Sequence, residues 1–206
     1  MKLYYTPGVC SLAPHIIALE AGLKIGLIKT DIRAKTTETG ADYKITNPLG
    51  YVPALELDDG SIMTEGPGIM QLLADKAPDK HLAPANGTPE RYRMQSWLNF
   101  VSTEIHKGFT PLLSPAIAGT LSDASKAVFL ERLNARFALV DKHLAAQDYL
   151  LGRQFTCADA YLYTVSRWAP RAHIDIAKTY PHVAAFMKRC EARPGVQAAL
   201  KAEGLS

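Results

Sequence analysis

Hydrophobic and polar positions in the first eighty residues follow two different spacings in turn. A short aromatic run at Lys2–Tyr5 ends at Thr6-Pro7-Gly8, which is typical of a strand closed by a turn. Residues 28–32 alternate apolar and polar side chains, as a second strand would. Between these runs, apolar residues recur at steps of four, three and four, which predicts one face of a helix: Leu12, Ile16, Leu19 and Leu23.

A hairpin and another helix follow a polar stretch at residues 33–44. Strand-like runs at 52–57 and 61–63 flank an Asp-Asp-Gly sequence, which favours a tight β-turn. A helix is predicted from about Gly66 to just before Pro78. The resulting order, β-α-β-(α)-β-β-α, combines a parallel β-α-β unit with an antiparallel pair. Residues 1–80 are therefore predicted to form a small α/β domain.

Beyond residue 80 the hydrophobic spacing is helical. Residues 81–87 are rich in turn-forming side chains and are predicted to link the first domain to an all-helical domain at 88–206. Thr88 and Pro89 are typical of a helix start, and Thr156 and Asp159 have the spacing of a capping box. Two long helices are predicted from their buried stripes: Met94, Leu98, Val101 and Ile105 in the first, and Phe129, Leu133, Phe137, Val140 and Leu144 in the second.

Composition and charge narrow the classes of function. The 206 residues carry 23 basic and 20 acidic side chains, for a net charge of +3, and no basic run that would indicate a nucleic-acid partner. No apolar stretch is long enough to span a membrane, and the first residues lack the apolar segment of a secretion signal. The three cysteines form no CxxC motif, so we expect no disulfide framework, no metal site and a reducing cytoplasm.

The first candidate for chemistry is Cys10, which lies where the first helix should begin. A helix start carries partial positive charge and unpaired N–H groups, so we expect a lowered thiol pKa and a reactive thiolate. The alternative is a buried structural cysteine. The chain after Cys10 lacks the second thiol of a dithiol oxidoreductase. The Ser11 hydroxyl is expected either to donate to a bound thiolate or to cap the helix.

The second candidate is a groove shaped for a short peptide. Pro53 at the start of a strand leaves an unpaired edge. A cis bond after Val52 would turn backbone groups toward a ligand, whereas a trans bond would make an ordinary strand start. Glu65 and Gly66 open a helix and can bind the ammonium and carboxylate of an amino acid. Lys35 can bind a second carboxylate, and glutathione carries all of these groups.

The motifs around these residues resemble those of beta-class, bacterial glutathione transferases over essentially the whole chain. Cys10 together with His106-Lys107 is the most class-specific part of the resemblance. Tyr51 departs from the pattern, because such proteins usually carry glutamine there, and Gly66 stands where many other classes carry serine. The matching segments are residues 1–20, Asn47-Pro48-x-Gly50-x-Val52-Pro53, Thr64-Glu65-Gly66-Pro67, residues 104–109 and Phe155-Thr156-x-Ala158-Asp159-Ala160-Tyr161.

This resemblance implies a thioredoxin-like first domain, a helical-bundle second domain and a homodimer with a glutathione site on each subunit. It also implies that glutathione is often held in a mixed disulfide with Cys10. Asn99, Thr103 and His106 recur at helical spacing on a polar face, which is also typical of a solvated face. The implied glutathione ligands, some from the partner subunit, are Cys10, Lys35, Val52, Pro53, Glu65, Gly66, Asn99, Thr103, Glu104 and His106.

Together these observations predict a detoxifying enzyme that adds the glutathione thiolate to a small hydrophobic electrophile, with glutathione as co-substrate. Cys10 and Ser11 would stabilise the thiolate, while His106 and Lys107 would manage protons or stabilise developing charge. Tyr5 and Trp168 are candidates for the electrophile pocket, and core packing is the alternative for both. Two other functions stay open: disulfide or peroxide reduction through a Cys10 mixed disulfide, and non-catalytic ligand binding.

Overall fold

The computed structural model describes residues 1–205 of the chain. The first domain is a mixed sheet flanked by helices, and it matches the predicted α/β order. A short 3₁₀ turn occupies the place of the predicted middle helix. The elements are β1 (Lys2–Tyr5), α1 (Leu12–Glu20), β2 (Gly26–Asp31), β3 (Thr36–Thr37), a 3₁₀ turn (Tyr43–Ile45), β4 (Ala54–Glu56), β5 (Ile62–Thr64) and α2 (Gly66–Asp75).

The sheet has the order β3-β2-β1-β4-β5. β1 pairs in parallel with β2 and antiparallel with β4, with Leu3 opposite Leu27 on one side and opposite Leu55 on the other. β4 and β5 form the antiparallel hairpin that the Asp-Asp-Gly sequence predicted. The strand β3 was not predicted, because its two residues are too few to show an alternating pattern. Its antiparallel pairing extends the sheet beyond β2.

The helix α1 is enclosed by other elements rather than lying on the surface. It contacts α2 of its own domain and two helices of the second domain. Every residue from Leu12 to Ala18 is buried for this reason. Leu12 and Ile16 lie in the core as predicted, whereas Leu23 lies beyond the end of the helix at Glu20.

The second domain is helical throughout the described residues. One long continuous helix opens it, made of α3, a π-helical turn and α4. Within residues 1–205, no helix is both long and apolar enough to cross a bilayer. The elements are α3 (Pro89–Phe100), the π turn (Val101–His106), α4 (Lys107–Leu113), α5 (Pro115–Ala118), α6 (Asp123–Leu144), α7 (Cys157–Ser166), a 3₁₀ turn (Ala169–Ala172), α8 (Ile176–Thr179), α9 (Pro181–Glu191) and α10 (Pro194–Ala202).

The π-helical turn corrects one expectation from the sequence. The predicted apolar stripe of Met94, Leu98, Val101 and Ile105 is buried. The wider turn then rotates the residues that follow, as the bond from the Lys107 N–H to the Ser102 carbonyl, five residues back, shows. Asn99 and Thr103 are exposed while His106 is partly buried. The three therefore do not form the single polar face that regular helical spacing predicted.

The helix α7 forms the centre of the second domain. Its capping box at Thr156 and Asp159 is present as predicted, and all of its residues are buried. The helix ends at Ser166. The chain then continues into the 3₁₀ turn at Ala169–Ala172.

Buried polar contacts join the two domains. The predicted linker at 81–87 is itself attached, because Leu82 is buried and its carbonyl accepts a hydrogen bond from the Cys157 N–H. The exact domain limits stay a prediction. The ion pairs Arg91–Asp75 at 2.7 Å and Arg193–Glu20 at 2.6 Å cross the interface, and the His15 Nδ1 lies 2.9 Å from a carboxylate oxygen of Glu203.

Asp159→Ala is expected to destabilise the fold by about 2–4 kcal/mol, because three donors lose a buried carboxylate. The carboxylate accepts from the Leu150 N–H, the Thr156 N–H and the Thr156 hydroxyl, each at 2.8 Å. Urea unfolding at fixed protein concentration measures the change. The matched control is Asp123→Ala in the exposed first turn of α6, for which we expect less than about 0.5 kcal/mol. Equal losses for the two variants would contradict the prediction.

Candidate functional site

Cys10 lies in the loop between β1 and α1, two residues before the helix begins. Its side chain is partly exposed, and its Sγ donates a hydrogen bond to the Val52 carbonyl at 3.1 Å. The sulfur therefore reaches the groove formed by the residues before β4. The alternative of a cysteine sealed in the core does not describe this position, although it does describe Cys157 and Cys190.

The expected low pKa of Cys10 is wrong for the chain without ligand. Burial raises the pKa of the Cys10 thiol to about 12, and the negative charge of Glu65 raises it further. Nearby backbone N–H groups and the positive charge of Lys107 act in the opposite direction. Desolvation outweighs them because the sulfur is largely removed from water. At neutral pH Cys10 is thus a thiol, and it can donate a hydrogen bond.

His106 and Lys107 reach the Cys10 site from the end of the π turn. Burial and the adjacent Lys107 charge lower the pKa of His106 to about 4, so its ring is neutral at pH 7. The His106 Nδ1 lies 2.6 Å from the Tyr161 hydroxyl. A base with so low a pKa is poorly matched to proton transfer near neutrality. The expected proton-managing role therefore does not suit His106, and Lys107 supplies the positive charge at the sulfur.

Ser11 is a structural residue and not a donor to a bound sulfur. It is fully buried. Its hydroxyl donates to the Thr6 carbonyl at 3.1 Å and accepts from the Thr6 N–H at 3.1 Å. Its single proton is thus occupied within the loop. The side chain does not cap α1 either, so both roles expected for it are corrected.

The loop before Cys10 is held by the second domain through both polar groups of Gly8. The Gly8 N–H donates to the Glu203 carboxylate at 2.9 Å, and the Gly8 carbonyl accepts from the Trp168 Nε1 at 2.9 Å. Trp168 is only 8% exposed, and its ring lies edge-on to His106. It therefore packs behind the site as a core tryptophan, and its role in an electrophile pocket stays a prediction.

The wall opposite Cys10 is formed by the segment before β4. The bond between Val52 and Pro53 is cis, the isomer that the sequence left open. The Tyr51 carbonyl accepts from the Tyr43 hydroxyl and from the Asn47 side chain, both at 2.7 Å. These two hydrogen bonds fix the backbone at Tyr51, directly before Val52. The Val52 carbonyl therefore has a fixed position in front of the Cys10 sulfur.

Glu65 and Gly66 form the upper end of the groove, where α2 begins. Glu65 has a φ of 67°, a left-handed conformation that is uncommon for a residue with a side chain and is concentrated at functional sites. Its carboxylate is exposed. A Cβ added to Gly66 would lie 3.7 Å from the Pro53 ring, so serine would fit there. Steric crowding therefore does not explain why residue 66 is glycine rather than serine.

Lys35 and Tyr51 form the lower end of the groove. The Lys35 Nζ donates to the Gly50 carbonyl at 2.9 Å and lies 5.4 Å from the centre of the Tyr51 ring. The Lys107 Nζ lies 5.9 Å from the same ring. Tyr51 is 59% exposed. The residue that departs from the family pattern thus lies between two cations, one from each domain.

Several predicted site residues are not brought to the Cys10 sulfur in this chain. Asn99 and Thr103 are exposed and bonded to each other through the Asn99 carbonyl. Glu104 pairs with two arginines of α6, at 2.7 Å and 3.2 Å, so its carboxylate is already occupied. Tyr5 lies 6.2 Å from the His15 ring, and its pKa is raised by burial and by Glu203. Its role in an electrophile pocket stays a prediction.

Tyr161 is a site residue that the sequence did not single out. Burial raises its pKa, with a further contribution from Cys10, and its hydroxyl lies 2.6 Å from the His106 Nδ1. It lies two residues after Asp159, the last residue of the capping box. The sequence shows Tyr161 at the end of the motif at residues 155–161. Its contact with His106 was not predictable, because the π turn sets the direction of the His106 side chain. Within residues 1–205, no cluster of His, Cys, Asp and Glu is arranged to hold a metal ion.

Comparisons with known proteins agree with this geometry. Residues 100–194 match the C-terminal domain of glutathione S-transferases. The chain is 46% identical to glutathione S-transferase GstA of Escherichia coli O157:H7, with both chains covered completely. It is also similar to two solved structures over its whole length. One is a sphingomonad glutathione S-transferase complexed with glutathione, at 45% identity and a TM-score of 0.93, with that chain fully covered.

The other structure is the bacterial beta-class glutathione S-transferase of Sphingomonas chungbukensis, at 42% identity and a TM-score of 0.94, also fully covered. A thioredoxin-like domain joined to a helical domain is the architecture expected of this family, and 46% identity over the whole length to a glutathione S-transferase shows the membership. The chain belongs to this family of transferases. Within the family it belongs to the bacterial beta class. The expected fold class is thereby confirmed.

The raised pKa of Cys10 gives a direct test in the protein without ligand. We expect iodoacetamide to label Cys10 slowly at pH 7, with a rate that rises about tenfold per pH unit between pH 7 and 9, because only the thiolate reacts. Mass spectrometry of quenched samples measures the rate. Cys10→Ala is the control and should remain unlabelled, because the other two cysteines are buried. A plateau near pH 7 would show that the thiol is already ionised and would contradict the assignment.

Proposed function

We propose that the chain conjugates glutathione to small hydrophobic electrophiles through the groove at Cys10. The observation that carries the proposal is the position of the Cys10 sulfur, bonded to the Val52 carbonyl and facing the Lys107 charge. In the reaction the glutathione thiol loses its proton and its sulfur bonds to an electrophilic carbon. In a substitution the leaving group departs with the electrons of its bond to carbon, and the proton goes to solvent.

The site residues support distinct tasks in this proposal. Glu65 and the Gly66 N–H would bind the amino-acid head group of glutathione, and Lys35 its other carboxylate. The backbone of Val52 would bind the central part of the tripeptide. The glutathione complex of the sphingomonad relative supports glutathione as the co-substrate. The structure of one chain leaves Asn99 and Thr103 exposed, so any contact with glutathione would come through a partner subunit.

The protonated state of Cys10 favours conjugation over reduction. A thiol at this position can donate its proton in a hydrogen bond to the glutathione sulfur and stabilise it as an anion. Disulfide reduction needs Cys10 itself as the attacking thiolate, and burial opposes that charge. Lys107 lowers the cost of negative charge at the site without a proton transfer. We therefore place the reactive anion on glutathione, with Cys10 as its donor.

Cys10→Ala separates the two reactions. We expect conjugation of a chlorinated nitroarene to fall by about ten- to a hundredfold in kcat/KM, the effect of losing one hydrogen bond to a charged group, and reduction of a glutathione mixed disulfide to be lost completely. Cys10→Ser is the matched control, because it keeps a donor and should retain more conjugation than the alanine variant. Complete loss of conjugation in both variants, with glutathione still bound, would assign the nucleophile to Cys10 instead.

A cytoplasmic homodimer is the proposed state of the enzyme. The cysteines are free, as in proteins of reducing compartments. Exposed apolar side chains on both domains are the candidates for a contact between subunits. They include Ile45 at 84%, Leu49 at 64%, Tyr92 at 59% and Val128 at 63% exposure.

Light scattering after size exclusion is expected to give a molar mass near twice the 22.5 kDa of one chain at micromolar concentration. Leu49→Asp and Tyr92→Asp should each lower that mass, because burying an unpaired charge at a contact is unfavourable. Lys178→Asp, at an exposed position on α8, is the control and should leave the mass unchanged. A mass of one chain for the unmodified protein would contradict the proposed dimer.

A further inference from the structure

Tyr161 and His106 form a polar contact that the proposed reaction does not yet use. The Tyr161 hydroxyl lies 2.6 Å from the His106 Nδ1, which is a hydrogen-bond distance. Tyr161 belongs to α7, whereas His106 ends the π turn. Only 4% of Tyr161 is exposed, so the contact is largely removed from water. One of the two atoms donates a proton to the other, and the direction of that donation decides what the rest of the imidazole can do.

The buried phenol sets the direction of this hydrogen bond. Among the hydrogen bonds within residues 1–205, the Tyr161 hydroxyl takes part in the bond to the His106 Nδ1 alone. If the imidazole donated, the phenol proton would be buried without an acceptor, which is unfavourable. Burial also raises the pKa of Tyr161, so the phenol keeps its proton at neutral pH. Ser102 lowers that pKa, as a hydroxyl that donates to the phenol oxygen does. The phenol therefore donates, and Nδ1 accepts.

The direction of the bond fixes the tautomer of His106. Burial and the Lys107 charge lower the pKa of His106, so the ring carries one proton at neutral pH. An Nδ1 that accepts from Tyr161 holds no proton, and the proton of the ring therefore lies on Nε2. His106 is thus a hydrogen-bond donor through Nε2, and its acceptor nitrogen is already occupied.

The Nε2 of His106 is open to solvent, although the rest of the ring is packed. It makes no hydrogen bond within residues 1–205, and yet it is not among the buried side-chain atoms that lack a partner there. The ring packs edge-on against Trp168, whose Nε1 donates to the Gly8 carbonyl in the loop before Cys10. A donor without a partner is thus held beside the loop that carries the sulfur.

We propose that Tyr161 is a positioning residue that fixes His106 as a hydrogen-bond donor to the anion formed at the Cys10 groove. The Tyr161 hydroxyl holds the Nδ1, and the Nε2–H then stabilises the negative charge without any proton transfer. This inference rests on the proposed function, in which the anion is the glutathione thiolate. It adds a second donor to that of Cys10. A donor that is already oriented stabilises charge more than one that must first reorient.

Nitrogen NMR of the full chain, with isotope-labelled histidine, tests the tautomer without glutathione. At pH 7 we expect the His106 Nδ1 to have the chemical shift of an unprotonated nitrogen and the Nε2 that of a protonated one. The spectrum of His106→Gln assigns these signals among the six histidines. In Tyr161→Phe the two shifts should move toward each other, because neither tautomer is held. The matched control is Tyr163→Phe, which removes another hydrogen-bonded hydroxyl of α7 and should leave both shifts unchanged.

The pKa of bound glutathione tests the role of the donor. Thiolate absorbance at saturating glutathione measures this pKa in each variant. It should rise by about half a unit in Tyr161→Phe, because the thiolate loses part of one hydrogen bond, and stay unchanged in Tyr163→Phe. We expect kcat for conjugation of a chlorinated nitroarene to fall by about threefold in Tyr161→Phe, with the KM for glutathione unchanged.

A protonated Nδ1 or a charged imidazole at pH 7 in the unmodified protein would overturn the proposal, even if Tyr161→Phe failed to fold. An unchanged pKa of bound glutathione in a folded Tyr161→Phe would also overturn it. Failure of the proposed function alone would look different. The tautomer and the effect of Tyr161→Phe on bound glutathione would be as expected, which supports the positioning role, but the unmodified protein would conjugate no electrophile.

Discussion

The position of the loop between β1 and α1 is the constraint on which the site depends. Four hydrogen-bonding arrangements hold it: Ser11 to the Thr6 backbone, Glu203 and Trp168 to Gly8, and Cys10 to Val52. Two of these come from the second domain. The loop that carries the sulfur is therefore held by contacts from both domains.

This arrangement has an electrostatic consequence. Packing the loop between two domains removes the sulfur from water, and desolvation raises the pKa of Cys10 although the start of α1 and Lys107 favour the anion. In the proposed function, glutathione would bring its own thiol to this position. In the reaction proposed above, the protein would keep its own sulfur protonated as a hydrogen-bond donor and leave the negative charge on the substrate thiol.

Much of the fold followed from the sequence because the relevant signals are local. The spacing of Leu12 and Ile16 predicted α1, the Asp-Asp-Gly sequence predicted the hairpin, and Thr156 with Asp159 predicted the start of α7. Elements that depend on tertiary contacts were not predictable. The strand β3 has only two residues, and short helices such as α5 and α8 have four each, too few for a periodic pattern.

The sequence predicted which residues form the candidate site better than it predicted their pKa values and hydrogen bonds. Cys10, Val52, Glu65 and Gly66 do lie around one groove. The direction of the Cys10 pKa was wrong because a helix start is visible in sequence, whereas burial by a distant segment is not. The roles expected of Ser11 were wrong for a related reason. Its hydroxyl bonds to the backbone of Thr6, and the pattern of side chains in a sequence does not show which backbone groups will be acceptors.

The π turn at Val101–His106 limits which insertions and deletions the second domain can accept. Such a turn is an α-helix that contains one additional residue. Deleting one residue there would restore regular geometry while turning α3 by about 100° and shifting it by about 1.5 Å relative to α4. Either the buried stripe of α3 or the histidine–lysine pair would then face the wrong way. Because of the extra residue, the buried side chains of α3 and the His106-Lys107 pair can each face the direction they need on one continuous helix. The number of residues in this segment is therefore constrained more strongly than their identities.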